Sequence, residues 1–539
     1  MSINKAFRCK NIYTASSPEL IDGFVVVNGN KIIAIAKEEE MKKDSSILNN
    51  AKIYDFKDNF IMPGFCDYHT HLMSGAMLEQ DGILRYTKSE EEAAQLLWNL
   101  HKDKKNKKWI LGGAWDPILW GQNQTPSKET LDKYFPNVPL FLINKECHGA
   151  WVNSKLLDVF NITKDTPDPP NGHYGRNASG DPSGYLHEEA FIDIQNKILS
   201  MISDREMADY AVSSVHLANQ YGITSVGDVA GVGPLREASY GILENEGKLS
   251  LRINFSSFQD EGVQAVKEKM EKYNSPVLKC CGAKTFIDGT PLGYTGYMLE
   301  DYSDKPGYKG KPFKDPEKFV QEVVEFDKAN VQVRVHACGD GAVRLSLDAF
   351  EQAIKENGRR DARHCIEHIE SISPDDISRF GELEVILSLQ PEHLPKYDFY
   401  NHPFHKMLGE ERMNYSWPFE SLRKNGALLA FGTDYPVVDL NPFRGIFRAV
   451  TRLTNEGEPK GGWNPKERVA IHETLRAYTY GGAYASRRDH ELGTLEPGKL
   501  ADIAIIQKNL FECATDKKEM FEMQVLMTIM NGDIVYKKE

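Results

Sequence analysis

A chain of 539 residues with 41% hydrophobic and 27% charged residues has an ordinary globular composition and is too long for one small domain. Its formal net charge of −13 excludes the basic surface that phosphate binding needs, and with it nucleic acid as the expected partner. No run nears the ~18 apolar residues of a membrane span, the N-terminus MSINKAFRCKNIYTASS lacks an apolar signal core, and eight cysteines without CxxC or framework spacing suit a reduced, cytoplasmic setting.

Residues 21–36, IDGFVVVNGNKIIAIA, read as two β-branched runs around Asn28-Gly29-Asn30, a hairpin signal. A short strand is expected at 52–56. The stretch 60–72, FIMPGFCDYHTHL, then runs from apolar residues into His69 and His71. Positions i and i+2 of a strand face the same way, so the two imidazoles converge as two metal ligands would. The competing reading is a pair of polar loop residues.

The stretch 73–196 is long for one strand-to-strand connection and holds five of the seven tryptophans, Trp98, Trp109, Trp115, Trp120 and Trp151. An insertion of that size reads as a lid or pocket wall. The middle of the chain alternates apolar runs with helical patterns. Strands are expected at 109–113, 139–145, 223–228, 251–255, 282–287, 331–336, 364–368, 384–389 and 428–431, and helices at 205–221, 316–330, 341–357 and 468–480. Such alternation predicts a parallel sheet, closed or open. At the far end, 493–506 and 524–536 are again strand-like, with a turn at Asn531-Gly532. The two β-rich ends are expected to pair into one appended β-domain, 1–60 plus 490–539, around a middle of 61–489.

Four more residues share the placement of the HxH pair at or near the C-terminal end of an apolar run. Lys284 lies in CCGAKTFIDGT, His336 follows VQVRV, His368 lies in RHCIEHIES, and Asp434 follows LLAFGT. In parallel α/β folds that end of the strands faces the active site.

These segments resemble the metal-dependent amidohydrolase superfamily, in particular its YtcJ-like branch, which includes N-substituted formamide deformylase. PGFCDYHTHL resembles the opening HxH strand, ECHGAWVNSKLL a His-x-Ala-Trp-x-Asn-Ser segment, and KTFIDGTPLGYTG a Lys-x-x-x-Asp-Gly segment. VHACGDGAVRLSLDAFE, RHCIEHIE, LSLQPEH and FGTDYPVVDLNPF resemble the later strand ends, and LGTLEPGKLADIAII the closing β segment. The resemblance implies a TIM-like (β/α)8 barrel with a β-sandwich built from both chain ends. It further implies that His69 and His71 bind the more buried zinc ion and that His336 and His368 bind the more exposed one. Lys284 would bridge the two as a carbamate, and Asp434 would touch the first ion and hold the bridging water. An unmodified ammonium has no lone pair to give a metal, and an alternative for Lys284 is an ion pair with Asp288. Members of the superfamily hold one or two ions.

The implied chemistry is hydrolysis of a C–N bond in an amide, formamide or cyclic amide by a metal-activated hydroxide, with Asp434 as general base and then acid. Open alternatives are a deaminase with one ion, an ester or phosphoester hydrolase on the same scaffold, and a catalytically silent regulatory binding protein. His148 and Trp115 are candidate contacts to a small-molecule substrate, with Trp120 a further apolar wall. Gln390 and His393 are expected at the pocket rim, Asp288 and Asn153 in turns, and Cys338 in small-residue packing. Large hydrolases often form symmetric pairs, so a homodimer is the assembly to look for.

Overall fold

A computed structural model describes residues 4–43, 45–103, 108–116, 119–120, 125–145, 149–170, 172–231 and 235–539. Eight parallel strands follow one another in order: β1 (Phe65–Thr70), β2 (Ile223–Val229), β3 (Arg252–Phe258), β4 (Leu278–Phe286), β5 (Gln332–Ala337), β6 (Cys365–His368), β7 (Ile386–Leu389) and β8 (Leu429–Phe431). The residues just past β8 close the ring against β1. Asp434 N donates to His69 O and His71 N to Tyr435 O, both at 2.7 Å. Thr433 N and Oγ1 donate to the buried Asp67 carboxylate at 2.9 and 2.6 Å. The result is a TIM-like (β/α)8 barrel. Its strands are covered on both faces, and accordingly every residue of β1 and β2 is buried.

The helices are built by local signals. The helix Asp204–Gln220 starts at Ser203, whose hydroxyl accepts from Glu206 N while the Glu206 side chain reaches back, a complete capping box. Its buried Met207, Ala208, Ala211, Val215 and Ala218 recur at helical spacing and turn one face to the barrel. Asp315 caps Pro316–Lys328 with proline in the first turn.

Seven of the nine expected strand runs lie in the barrel; the other two belong to a separate five-stranded sheet. There Ile110–Trp115 and Leu140–Asn144 join Gly149–Val152, Gly172–Arg176 and Pro182–Glu188. This sheet and the helices Glu90–His101 and Lys128–Tyr134 enclose a core of Trp115, Trp120, Trp151, Leu97, Leu131 and Phe135.

The chain ends share one sheet. Strands Lys5–Tyr13, Leu20–Asn28, Lys31–Lys37, Lys52–Asp55 and Phe60–Pro63 come from the start, and Ile503–Ile506, Val525–Met530 and Asp533–Lys537 from the end. It curls until Ile32 N donates to Lys499 O and Ala501 N to Asn30 O, both at 2.9 Å. Phe7, Val25, Ile61, Ile503 and Ile529 fill the space inside, so the two ends form the β-sandwich. The Asn531-Gly532 turn has positive φ at both residues, 56° and 81°, as a two-residue hairpin requires.

The segment that carries the HxH pair is split between the two sheets. Phe60–Pro63 pairs with both chain ends and β1 begins at Phe65. Gly64 makes the step; a Cβ there would lie 2.3 Å from Thr224 Oγ1. The fully buried Arg252 ties barrel to sandwich through a two-point ion pair to Asp502, at 2.8 and 2.9 Å. Among the described residues no helix is long and apolar enough to cross a membrane.

Candidate metal centre

The C-terminal ends of the barrel strands bring the histidines and the aspartate together. His69 ends β1 with Thr70 and His71 follows it, His336 lies in β5, His368 closes β6, and Asp434 follows β8 by three residues. Asp434 Oδ1 is 3.3 Å from His69 Nε2 and 3.1 Å from His71 Nε2. The His69 ring lies 4.9 Å from that of His368, which lies 4.3 Å from that of His336. One ligand atom each from His69, His368 and Asp434 falls within 4.8 Å of the others. His368 and Asp434 both take positive φ, 75° and 60°, a strained backbone that turns each side chain inward and is typical of functional sites.

Neighbouring groups fix which ring nitrogen is free. His71 Nδ1 is 3.0 Å from Val229 O; a carbonyl there calls for a proton on Nδ1 and leaves Nε2 a lone pair toward Asp434. His69 Nδ1 faces Glu367 Oε1 at 3.2 Å, which favours the same tautomer. Burial, and then Lys284, hold His336 down to about 3. Burial likewise keeps His69 and His368 well below the ordinary imidazole range, against the pull of Asp434. Burial pushes the Asp434 carboxyl up, whereas a proton on Nε2 of the flanking His69 or His71 pulls it well below the carboxylate range. Neutral imidazoles around an ionised carboxylate are the protonation states that metal ligation needs. Asp434 Oδ1 and His393 Nε2 are buried without a hydrogen-bond partner among the described residues, and such lone pairs beside the histidine cluster fit a divalent cation.

Lys284 sits completely buried in the barrel interior. It does not reach Asp288; its ammonium lies against Glu367. Glu367, equally buried, also takes Arg334 at 2.8 Å (Nε) and 2.6 Å (Nη2). Arg334 in turn donates to Tyr68 O at 2.9 Å and lies over the Tyr68 ring at 4.0 Å. Sequence reasoning missed Glu367 and Arg334. The signal was a single charged residue inside each of the apolar runs VQVRV and CIEH, which a strand buried on both faces tolerates only with a partner. Burial first, then Arg334, press the Lys284 ammonium well below the usual lysine range.

The remaining candidates separate. Trp115 is 1% exposed, donates its indole N–H to Leu142 O at 2.9 Å, and stacks on Trp120. Its ring packs in the core of the five-stranded sheet, which Trp120 shares. His148 lies outside the described residues. Asp288 accepts from Cys338 N, Gly339 N and Tyr297 N at 2.8–2.9 Å. Asn153 caps Ser154–Val159. Both are turn builders. Cys338 Sγ is 3.4 Å from His336 Nε2. His393 comes closer to the centre than a rim residue, with Nε2 3.6 Å from Asp434 Oδ2 and its ring stacked on His368. Gln390 is buried and donates to Ser388 O at 3.3 Å.

Protein LONG AFTER FAR-RED 3 of Arabidopsis thaliana is 31% identical over 537 residues, 97% of this chain and 90% of its own. N-substituted formamide deformylase of Arthrobacter pascens is 26% identical over 544 residues, 98% of this chain and 97% of its own. A solved structure, an uncharacterized metal-dependent hydrolase from Pyrococcus horikoshii OT3, is similar with a TM-score of 0.77 at 26% identity, covering 94% of this chain and 98% of that one. The model of the amidohydrolase family matches residues 52–536, from the terminal sheet through all eight barrel strands and back, and on that coverage the chain belongs to the amidohydrolase family.

Proposed function

We propose that the protein is a zinc-dependent amidohydrolase that cleaves a C–N bond in an amide, formamide or cyclic amide. The observation that carries this reading is the placing of His69 Nε2 and His71 Nε2 each within 3.3 Å of Asp434 Oδ1 at the mouth of the barrel. His69, His71 and Asp434 would hold one ion and His336 and His368 a second, with Lys284 between them as a carbamate. Imidazole and carboxylate ligands suit zinc. Bound zinc lowers the pKa of a coordinated water from 15.7 toward ~7 and polarises a carbonyl.

The chain's own residues supply the rest. Asp434 is ionised and takes the proton of the attacking water, then returns it to the leaving nitrogen from Oδ2, the oxygen that faces His393 rather than the His69–His71 pair. The strained backbone at His368 and Asp434 fixes these side chains before substrate arrives. A Lys284 amine kept neutral by burial and by Arg334 is the form that adds CO2. N-substituted formamide deformylase, by its name, acts on N-substituted formamides, which supports a small amide as substrate. The seven described cysteines are all buried free thiols, in keeping with a reduced, cytoplasmic setting.

Asp434→Asn tests the role directly. Turnover is expected to fall by roughly 10²–10⁴, and near wild-type turnover with metal retained would end the assignment. One observation favours a second reading: the Lys284 ammonium lies against Glu367, as an unmodified lysine in a one-ion deaminase-like site would. One ion per chain and no carbamate signal by ¹³C NMR after ¹³CO2 labelling would select it.

A further inference from the structure

The hydrolytic scheme leaves His393 and the carboxylate behind it without a task. His393 closes the short turn Pro391–His393 after β7, and its backbone N–H donates to Gln390 O at 3.0 Å. Glu370 lies two residues past His368, where His368 and Ile369 both take positive φ, 75° and 49°. Trp417 N donates to its carbonyl at 3.3 Å. The two side chains meet: Glu370 Oε1 lies 3.8 Å from His393 Nδ1, and they are only 10% and 12% exposed. The other ring nitrogen, Nε2, lies 3.6 Å from Asp434 Oδ2. Among the described residues Glu370 Oε2 and His393 Nε2 are buried with no hydrogen-bond partner.

Burial favours the neutral ring, which holds one proton for two carboxylates. Asp434 also faces His69 and His71, at 3.3 and 3.1 Å, whereas among the described residues Glu370 has His393 alone as its ion-pair neighbour. The proton therefore belongs on Nδ1, toward Glu370, and Nε2 turns a lone pair toward Asp434 Oδ2. Two buried acceptors that face each other are unfavourable until a donor comes between them. Their separation lets one nitrogen lie within hydrogen-bond reach of both, about 2.9 Å from each. Oδ2 is also the oxygen that returns the proton to the leaving nitrogen, so that nitrogen is the donor to expect.

We propose that His393, oriented by Glu370, accepts the N–H of the scissile amide, which narrows the substrate class to amides and formamides whose nitrogen keeps a hydrogen and excludes N,N-disubstituted ones. The C–N bond breaks with its electron pair on nitrogen, and that pair takes the proton from Asp434. The N–H toward His393 stays intact throughout, so His393 positions the nitrogen and transfers no proton. A disubstituted nitrogen would set an alkyl group against the unpaired Nε2 instead. The inference rests on the proposed hydrolytic reading for the leaving nitrogen, and on the Glu370–His393–Asp434 geometry for the acceptor.

The test uses zinc-loaded full-length protein and two probes of matched shape that resist hydrolysis. One is N-benzylmethanesulfonamide, which has an N–H; the other is methyl 2-phenylethyl sulfone, with CH2 in its place. In calorimetric titration the sulfonamide is expected to bind about tenfold tighter or more. His393→Leu should abolish that preference, and His393→Gln, whose amide oxygen also accepts, should keep part of it, both with wild-type zinc content. Glu370→Leu should shrink the preference and leave affinity for the sulfone unchanged; equal falls for both probes would refute its orienting role. Equal affinity of the wild type for the two probes, or binding of neither, overturns the proposal. So does a preference that survives in His393→Leu, which would place the sulfonamide nitrogen on the metal. Zinc lost from either His393 variant overturns it too, by making His393 a ligand. Preference for the N–H probe without hydrolysis of N-benzylformamide or N-benzylacetamide upholds the acceptor and refutes the catalytic reading.

Discussion

Glu367→Gln removes the negative charge from the barrel interior while keeping the shape of the side chain. Arg334, 1% exposed, then loses the one charged partner it has among the described residues. Its bond to Tyr68 O and its place over the Tyr68 ring remain, but neither neutralises it. Lys284 adds little to the cost, because burial and Arg334 already favour its neutral form. An uncompensated buried charge costs about 3–5 kcal/mol. For 539 residues unfolding as one unit, the entropy of unfolding is roughly 1 kcal/mol per kelvin, so the midpoint should fall by about 3–5 °C. The assay is calorimetric melting of metal-stripped protein, with the double variant Arg334→Met/Glu367→Met as control. Removing both charges should recover most of the loss, since apolar replacement of a whole buried pair is close to neutral. A Glu367→Gln variant that melts with the wild type, or a double variant no better than the single one, would refute the reasoning.

The step between the two sheets is tight: Gly64→Ala would set a Cβ 2.3–2.4 Å from the Thr224 side chain, and overpacking of this kind costs about 1–3 kcal/mol. A lower urea midpoint is expected, with Thr224→Ala restoring more than half of it. The histidines make a pH prediction in metal-stripped protein. His336 is held to about 3 in the folded chain against ~6.5 when unfolded. Between those values the unfolded chain binds a proton that the folded chain refuses, so stability falls as pH drops through that window, by at most about 1.4 kcal/mol per unit. His336→Gln should therefore show a shallower loss of melting temperature from pH 6.5 to 4 than the wild type; parallel curves would contradict the buried, neutral imidazole.

The parts of the fold that were legible have local causes. Strands buried on both faces appear as unbroken apolar runs, and a polar residue that ends such a run marks the barrel mouth, which is how His69, His336, His368 and Asp434 stood out. Asn-Gly turns announced two of the sandwich hairpins. What stayed hidden depends on partners far away in sequence. Gly172–Arg176 and Pro182–Glu188 hold their sheet through backbone bonds, and their residues GHYGR and PSGYLHE show no alternation to read. Asp288 is four residues past Lys284, but it turns to the N–H groups of Cys338 and Gly339 in the next loop. Glu367 takes the lysine instead. Trp115 shows the same limit. A tryptophan in a long insertion can face either a pocket or a core, and only the packing of Trp120 and Trp151 around it decides.

The proposed function stands on a hydrolytic metal centre built by His69, His71, His336, His368 and Asp434. Elemental analysis of the purified full-length protein, run beside a hydrolysis screen of N-acyl, N-formyl and cyclic amides, tests it most directly. Zinc near two per chain is expected, lost together with amide hydrolysis in His69→Ala and His71→Ala. Protein that binds no transition metal, or that hydrolyses these amides equally well after both substitutions, would contradict it.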